Sequence, residues 1–347
     1  TETATAPIFA VVGDEAVSIT EKTSIPTVDK QVREGAAWGK VSDSYIGEEV
    51  EYKLTGSVAS NIDTFTKYEY SFQDHLSVGL EAIEGSVEVT INDKVIQPEN
   101  GYTVGLDPTK DVSGNLTGGH DLTISFSNLK DAAAAAGVTL RGDSKVVVTY
   151  KAKLTDKAEY TATGNTNDVK LVYSNNPMVE GTGTSTPERV TDHVFRLDVT
   201  KVEKDNQNQK LEATFQVKMT KEGDTSLETN RWLTQTGGIT ENEKDAGKFK
   251  TDKETGKIYI PGLVEGTYEI TECNTPAGYN TLAPFTITVK PKYNADGSLQ
   301  SLDVTSSNTE MVTSSATNDA TIPVTIQNKK GSGLPLTGLN GVTFTWI

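Results

Sequence analysis

The chain is organised around the stretch Tyr268-Glu269-Ile270-Thr271-Glu272-Cys273-Asn274-Thr275-Pro276-Ala277-Gly278-Tyr279. Tyr268, Ile270 and Glu272 occupy every second position, which predicts a β-strand that carries all three side chains on one face. Pro276 and Gly278 predict a turn that ends the strand. A carboxylate on an apolar face is costly unless it is neutral or paired. Glu272 is therefore a candidate functional residue, and the alternative is a solvent-facing glutamate on an edge strand.

The full pattern Tyr-x-Ile-x-Glu-x-x-x-Pro-x-Gly-Tyr resembles the E-box of the collagen-adhesin B-type (CNA-B) domains of Gram-positive surface proteins and pilins. In that family the glutamate promotes a spontaneous isopeptide bond between a lysine and an asparagine. The resemblance implies the same role for Glu272. Cys273 stands where the family usually has threonine, but strand alternation points its side chain away from Glu272.

The composition limits the classes of partner and fold. The chain has 347 residues, enough for two or three domains, and its net charge of -16 argues against nucleic acid or anionic lipid as a partner. The single cysteine excludes an intrachain disulfide, so a secreted chain of this kind needs another means of resisting extracellular stress. No run of about 18 apolar residues is present to span a membrane. Short alternating segments predict an all-β fold of two tandem Ig-like, CNA-B-like β-sandwich domains.

Composition shifts divide the chain into four segments: an N-terminal stub at residues 1–23, a first β-sandwich at 24–190, a second at 191–330, and a spacer with a sorting signal at 331–347. One short helix is predicted over residues 131–136, ended by Gly137. The N-terminus carries no signal peptide, so we expect a mature or truncated product.

The two predicted sandwiches carry the same three residue types in the same order. Each has a lysine in its first strand, an acid in an intermediate strand and an asparagine at the end of its last strand. The predicted sets are Lys30, Asp74 and Asn175, and Lys201, Glu272 and Asn328.

An amide between a lysine and an asparagine side chain needs a neutral amine, a polarised carboxamide and an acid that carries the proton. An apolar core lowers the pKa of the lysine and raises that of the acid. First and last strands lying side by side would bring the lysine and the asparagine into contact, and the reaction would release ammonia. The alternative is that Lys30 and Lys201 are edge-strand charges and that the asparagines end their strands as turn formers.

The first sandwich resembles the fimbrial isopeptide D2 domain. The resemblance rests on Lys30 in the segment Thr-Val-x-Lys and on Phe72-Gln73-Asp74-x-Leu76, with Gly79-Leu80 beyond. It implies that Lys30 pairs with an asparagine near the end of the domain. Asn167 and Asn175 both fit the alternation at opposite ends of the last strand, and Asn176 is a further competitor. We predict Asn175, because it matches Asn328 in register.

A second motif follows the spacer and consists of Leu334, Pro335, Leu336, Thr337 and Gly338. It resembles the Leu-Pro-x-Thr-Gly sorting signal of sortase substrates, which implies cleavage after Thr337 and transfer of the acyl group to an amine. Pro335 imposes an extended, kinked backbone that suits a groove. The apolar segment after it is shorter than the membrane stretch and basic tail of the family, so we expect a truncation there.

The amine that would receive Thr337 is predicted at Lys22. The segment Val17-x-Ile19-x-x-Lys22 resembles the end of the pilin motif, in which a lysine is joined to the threonine of the next subunit. Thr20-Glu21 replace the Tyr-Pro of that motif. The alternative is an exposed linker lysine, and Lys40 is a weaker candidate.

Other chemistry is not indicated. His75, His120 and His193 are scattered, so a zinc site is not expected, and no metal or cofactor is predicted. The resemblances imply a wall-anchored pilin, secreted to the cell surface, rather than an enzyme acting on external substrates. Its expected partners are a class C-type pilus sortase, a housekeeping sortase, other copies of itself and minor pilins, with a host ligand as a further partner. A tip or basal adhesin and a non-polymerising stalk are the alternatives.

Overall fold

The structure, a computed structural model, describes residues 25–110, 116–223 and 228–331. It divides the chain into two compact units. Unit 1 extends to Val194 and includes Tyr293–Gln300, and unit 2 consists of Phe195–Lys292 and the residues from Ser301 onward. Sequence composition had placed the boundary after residue 190. The predicted stub at residues 1–23, Lys22 and the Leu334–Gly338 motif lie outside the described residues.

The described residues of unit 1 form fourteen strands in two sheets. The strands are β1 (Val28–Glu34), β2 (Ala37–Gly39), β3 (Val41–Asp43), β4 (Glu49–Ser57), β5 (Tyr70–Leu76), β6 (Leu80–Ala82), β7 (Glu88–Ile91), β8 (Lys94–Ile96), β9 (Tyr102–Lys110), β10 (Leu116–Phe126), β11 (Lys145–Leu154), β12 (Asn165–Ser174), β13 (Thr182–Thr184) and β14 (Glu188–His193). One sheet has the order β2-β1-β4-β11-β7-β8, with β6 beside β11. The other has the order β3-β14-β12-β5-β10-β9, with β13 beside β12.

Alternation along these strands forms the core of unit 1. In β5, for example, Tyr70, Phe72, Asp74 and Leu76 are buried and the residues between them are not. The same pattern in β1, β4, β11 and β12 directs one face of each sheet inward, as period-2 strands require. Polar residues at the inward positions of these strands are therefore buried in the core together with the apolar ones.

One α-helix, α1 (Leu129–Ala135), lies between β10 and β11. The Asn128 side chain caps it by accepting a hydrogen bond from the Lys130 backbone amide at 3.2 Å. Gly137 has a φ of 72°, the left-handed conformation that commonly follows a helix end. The predicted helix at residues 131–136 is thus confirmed, with a start two residues earlier. Short 3-10 turns occur at residues 62–64, 98–100 and 243–245.

Unit 2 is a second pair of sheets. Its strands are β15 (Phe195–Glu203), β16 (Thr214–Glu222), β17 (Glu228–Leu233), β18 (Ile239–Thr240), β19 (Phe249–Lys250), β20 (Lys257–Leu263), β21 (Gly266–Asn274), β22 (Phe285–Tyr293), β23 (Leu299–Ser306), β24 (Val312–Ser314) and β25 (Thr321–Asn328). The four-stranded sheet has the order β20-β15-β25-β24. The larger sheet has the order β18-β17-β16-β21-β22-β23, with β19 beside β16.

The first and last strands of unit 2 are direct neighbours. β15 and β25 pair in parallel, with Lys201 opposite Ile326 and Glu203 opposite Asn328. Strand β21 contains the predicted Tyr268–Glu272 alternation, with Tyr268, Ile270 and Glu272 all buried. The all-β, tandem β-sandwich prediction is therefore confirmed. Among the described residues, the structure contains no helix with the length and apolar character needed to cross a bilayer.

Candidate functional sites

The first site is centred on Lys30, whose side chain lies wholly inside unit 1. Lys30 is 0% exposed because it takes the inward position of β1 between Val28 and Val32. Its amine lies beside a stacked pair of tyrosine rings, 5.5 Å from the ring centroid of Tyr52 and 5.6 Å from that of Tyr150. Because its side chain is fully buried, Lys30 is not an exposed edge-strand charge.

Asp74, Tyr150 and Asn167 surround the Lys30 amine. Lys30 Nζ is hydrogen-bonded to Asp74 Oδ1 and donates to Asn167 Oδ1 at 2.8 Å and to the Tyr150 hydroxyl at 3.2 Å. The Tyr150 hydroxyl donates to Asp74 Oδ2 at 2.6 Å and accepts from Asn167 Nδ2 at 2.6 Å. The four side chains come from β1, β5, β11 and β12 and form one closed network, because each occupies an inward position of its strand.

Burial shifts the proton affinities at this site toward the neutral pair. It lowers the pKa of the Lys30 amine to about 8, although the charge of Asp74 opposes the shift. It also raises the pKa of the Asp74 carboxyl against the opposing effect of Lys30. With a pKa of about 8, roughly a tenth of the amine is neutral at pH 7, about 300-fold more than for an ordinary lysine. The neutral amine is the form that acts as a nucleophile.

The second site has the same residue types in unit 2. Lys201 Nζ is hydrogen-bonded to Asn328 Oδ1 and lies 3.1 Å from Glu272 Oε1, and neither the Lys201 nor the Glu272 side chain is exposed. Asn328 Nδ2 donates to Glu272 Oε2 at 3.0 Å, so the acid contacts the carboxamide directly. The Lys201 amine lies 5.4 Å from the centroid of the Phe215 ring. Burial lowers the pKa of Lys201 to about 8, and the charge of Glu272 opposes the shift.

The turn after β21 holds the acid and the asparagine of unit 2 in place. Glu272 Oε2 accepts hydrogen bonds from the Leu282 amide at 2.8 Å and from the Thr275 hydroxyl at 3.2 Å. The Asn280 carbonyl accepts from Asn328 Nδ2 at 3.0 Å. Gly278 makes the turn possible with a φ of 86°, a conformation that residues with a Cβ rarely adopt. The segment after β21 thus orients the carboxamide together with Glu272.

Asn175, the predicted partner of Lys30, is not in the first site. It follows the end of β12, and its side-chain amide donates to the Thr182 carbonyl at 3.1 Å. Eight residues along a strand separate it from Asn167, a distance of about 26 Å. Asn176 accepts a hydrogen bond from the Met178 amide in the same loop. The register match with Asn328 fails because the position of β12 that faces Lys30 is Asn167, near the start of the strand, whereas Asn328 is the last residue of β25.

The remaining candidates are placed as follows. Lys40 Nζ is paired with Asp29 at 2.9 Å and Glu188 at 2.7 Å, and its side chain is 41% exposed. Lys22 and the Leu334–Gly338 motif are not described. Among the described residues, no group of three or more His, Cys, Asp or Glu side chains is arranged to bind a metal ion.

Two buried polar residues of unit 1 escaped the sequence reasoning. Tyr150 lies on β11, where its alternation with the buried Val146 and Val148 directs its side chain into the core. Asp192 on β14 is 1% exposed and accepts hydrogen bonds from the Ser42 and Ser44 hydroxyls at 2.8 and 2.9 Å. Burial raises the pKa of Asp192 to about 7.

Comparison with known proteins bears on both units. A family model described as "SpaA: Prealbumin-like fold domain" matches residues 195–308, within which Lys201 and Glu272 lie. A comparison of the sequence with curated proteins gives no match.

Solved structures resemble nearly the whole chain. A backbone protein of pilus 2b from group B streptococcus aligns with a TM-score of 0.59 at 23% identity, covering 89% of this chain and 99% of that one. A 35 kDa C-terminal fragment of the major pilin GBS80 of Streptococcus agalactiae aligns at 0.57 and 19%, covering 88% and 100%. The T6 backbone pilin of Streptococcus pyogenes aligns at 0.57 and 17%, covering 88% and 70%. The chain therefore carries a SpaA-type prealbumin-like domain at residues 195–308 and shares the fold of these streptococcal backbone pilins.

Proposed function

We propose that this protein is a structural pilin, the shaft subunit of a sortase-assembled Gram-positive pilus, and that each of its units is closed by an autocatalytic Lys–Asn isopeptide bond. The observation that carries the proposal is the presence of two buried Lys–acid–Asn clusters, one in each unit. Burying a lysine and an acid without function is expensive, and the chain does so twice with an asparagine in contact. The shared fold with backbone pilins supports the same assignment.

The reaction in each unit joins Lys Nζ to the side-chain carbonyl carbon of the asparagine. The neutral amine attacks that carbon, the new C–N bond forms, and the bond to Nδ2 breaks. The amine gives up one proton and Nδ2 gains one, so ammonia leaves and the acid ends in its starting state. The bonds pair Lys30 with Asn167 and Lys201 with Asn328. Each bond forms a single time within the chain itself, and the protein is not an enzyme for external substrates.

The polymerisation proposal rests on the sequence motifs. A pilus sortase cuts after Thr337 and joins its acyl group to Lys22 of the next copy, which gives an open head-to-tail filament. A housekeeping sortase then attaches the filament to the cell wall, with minor pilins as further partners. A tip or basal adhesin would share the two bonds but would have no need of Lys22.

Intact mass tests the two bonds. We expect the folded chain to weigh less than its sequence by two ammonia molecules. Asn167→Ala and Asn328→Ala are each expected to lose one ammonia instead of two, and Asn175→Ala, the matched control, to lose both. A wild-type mass equal to the sequence mass would contradict the proposal. Retention of both losses in Asn167→Ala would contradict the pairing in unit 1.

Incubation with the pilus sortase tests the assembly. We expect covalent ladders on a denaturing gel for the wild type, and none for Lys22→Arg or Thr337→Ala. Lys40→Arg is the matched control, because the Lys40 amine is already engaged in ion pairs with Asp29 and Glu188. Ladders from Lys22→Arg would move the acceptor elsewhere. Absence of ladders from the wild type would favour the tip or basal adhesin.

A further inference from the structure

The acid of unit 1 makes no hydrogen bond to the asparagine that it has to protonate. In the described structure, the Asp74 carboxyl is hydrogen-bonded to Lys30 and Tyr150, and not to Asn167. In unit 2 the corresponding contact is direct, since Asn328 Nδ2 lies 3.0 Å from Glu272 Oε2. The reaction proposed above needs a proton to reach the leaving nitrogen. Unit 1 therefore needs a carrier between Asp74 and Asn167.

The Tyr150 hydroxyl is the group that bridges this gap. It lies 2.6 Å from Asp74 Oδ2, 2.6 Å from Asn167 Nδ2 and 3.2 Å from Lys30 Nζ. Its ring is stacked on Tyr52, with the centroids 5.2 Å apart and the planes 17° from parallel, so the hydroxyl has little freedom to move away. Burial holds the pKa of Tyr150 well above its ordinary value, which keeps the hydroxyl protonated and able both to donate and to accept.

We propose that Tyr150 is a catalytic residue of unit 1 that relays the proton from Asp74 to the departing nitrogen of Asn167. The inference rests on the isopeptide reaction proposed above. As Lys30 Nζ bonds to the carbonyl carbon of Asn167, Asp74 Oδ1 takes a proton from Nζ. Once Asp74 Oδ2 carries a proton, the Tyr150 hydroxyl turns from Asp74 toward Nδ2, which gains a lone pair as the new bond forms. Asp74 Oδ2 then passes its proton to the Tyr150 oxygen, and Tyr150 passes its hydroxyl proton to Nδ2, which leaves as ammonia. Asp74 and Tyr150 both end as they began, so protons and bonds balance.

Glu272 needs no such relay. Its two oxygens lie against the two reacting groups of unit 2, Oε1 near Lys201 and Oε2 near Asn328. The aromatic ring nearest the Lys201 amine is that of Phe215, which has no hydroxyl and so no proton to give. The two units thus solve the same proton transfer in different ways, and unit 2 serves as an internal control for unit 1.

The test follows bond formation in the full chain. Protein recovered unfolded from inclusion bodies is diluted from urea into buffer, and the Lys30–Asn167 and Lys201–Asn328 linked peptides are quantified over time by mass spectrometry. In Tyr150→Phe we expect the rate in unit 1 to fall at least about 100-fold, the usual size of a general-acid effect, with the rate in unit 2 unchanged. Tyr70→Phe, which removes another buried hydroxyl of unit 1 that bonds the Ser57 carbonyl, is expected to react like the wild type.

A second series separates chemistry from folding. Fluorinated tyrosines placed at position 150 make the phenol more acidic with little change of shape, and we expect the rate in unit 1 to rise with that acidity. If Tyr150→Phe fails to fold, as judged by near-ultraviolet circular dichroism, this series decides. An unchanged rate in Tyr150→Phe, or a rate unchanged or reduced across the fluorinated series, overturns the relay but leaves the crosslink in place. Absence of the Lys30–Asn167 peptide in the wild type overturns the crosslink itself.

Discussion

The two Lys–acid–Asn sites contain the same chemistry in different architectures. In unit 1 the lysine is on β1 of one sheet, while Asp74 and Asn167 are on adjacent strands of the other sheet, so the proposed bond joins the two sheets. In unit 2 Lys201 and Asn328 lie on neighbouring parallel strands, so the proposed bond stays within one sheet and the acid comes from the other. The order of residue types along a chain thus does not determine which strands the isopeptide bond joins.

The difference also changes how much of each unit lies inside the covalent loop. The two bonds close loops of similar length, with partners 137 and 127 positions apart. Asn328 ends the last strand of unit 2, whereas Asn167 lies near the start of β12. Most of β12, together with β13 and β14, therefore lies outside the loop of unit 1. Four predictions follow from this contrast and from the environments of the two sites.

The largest difference is expected under pulling force applied at the chain ends. The stretch between the two bonds is residues 168–200, so we expect the wild type to release at most about 110 Å between its two covalent loops. In Asn167→Ala, all of unit 1 can unravel, which corresponds to roughly 550 Å. Asn328→Ala should release unit 2 instead. Single-molecule extension measures this, and a wild type that releases either whole unit would show that its bond is absent.

Thermal stability should fall by similar amounts when either bond is lost. Because loops of this length restrict the unfolded chain, each bond is expected to contribute on the order of 4–5 kcal/mol, by the argument used for disulfides. Differential scanning calorimetry of Asn167→Ala and Asn328→Ala should each show one lowered transition and one unchanged. Asn175→Ala should match the wild type. A much smaller loss of stability in one unit would mean that strain at its bond, rather than the length of the loop it closes, determines how much that bond stabilises the unit.

A buried acid without a lysine makes the stability of unit 1 depend on pH. Burial raises the folded-state pKa of Asp192 from 3.8 to about 7, so the folded chain keeps a proton that the unfolded chain has released. This stability is therefore present below pH 4 and is lost as pH rises toward 7. Asp192→Asn should remove the dependence and make unit 1 more stable at pH 8 by roughly 2–4 kcal/mol. Calorimetry from pH 4 to 8 checks this, with the transition of unit 2 as the control.

The smallest contrast is expected in the pH dependence of bond formation. Lys30 and Lys201 both have their pKa lowered to about 8 by burial. The reactive form, with the lysine neutral and the acid protonated, holds the same number of protons as the ion pair. The rate in both units should therefore fall above about pH 8, where this shared proton is lost. Refolding from urea over pH 6–10 with quantification of both linked peptides measures this, and a rate that keeps rising above pH 8 in one unit would show that its acid need not carry a proton.

The strands and the inward positions of the reactive residues could be predicted from the sequence because a β-strand has a period of two. Alternation alone placed Lys30, Asp74 and Glu272 on the same faces as their apolar neighbours. It also left Asn167 and Asn175 equally acceptable, because they are an even number of positions apart in the predicted last strand. Tyr150 was missed for a related reason: a tyrosine in an apolar run looks like a packing residue until its hydroxyl is seen to contact Asp74.

The sequence by itself determined the all-β class, the short helix near residue 131 and the residue types available for the chemistry of each unit, since these depend on local periodicity and local turns. Only the tertiary structure decided which asparagine faces Lys30, that β1 and β12 lie in opposite sheets while β15 and β25 are neighbours, and that a tyrosine lies between Asp74 and its target. The Lys30–Asn167 and Asp74–Tyr150 contacts join residues 137 and 76 positions apart. They depend on the order of the strands in the sheets, which no local pattern along the chain encodes.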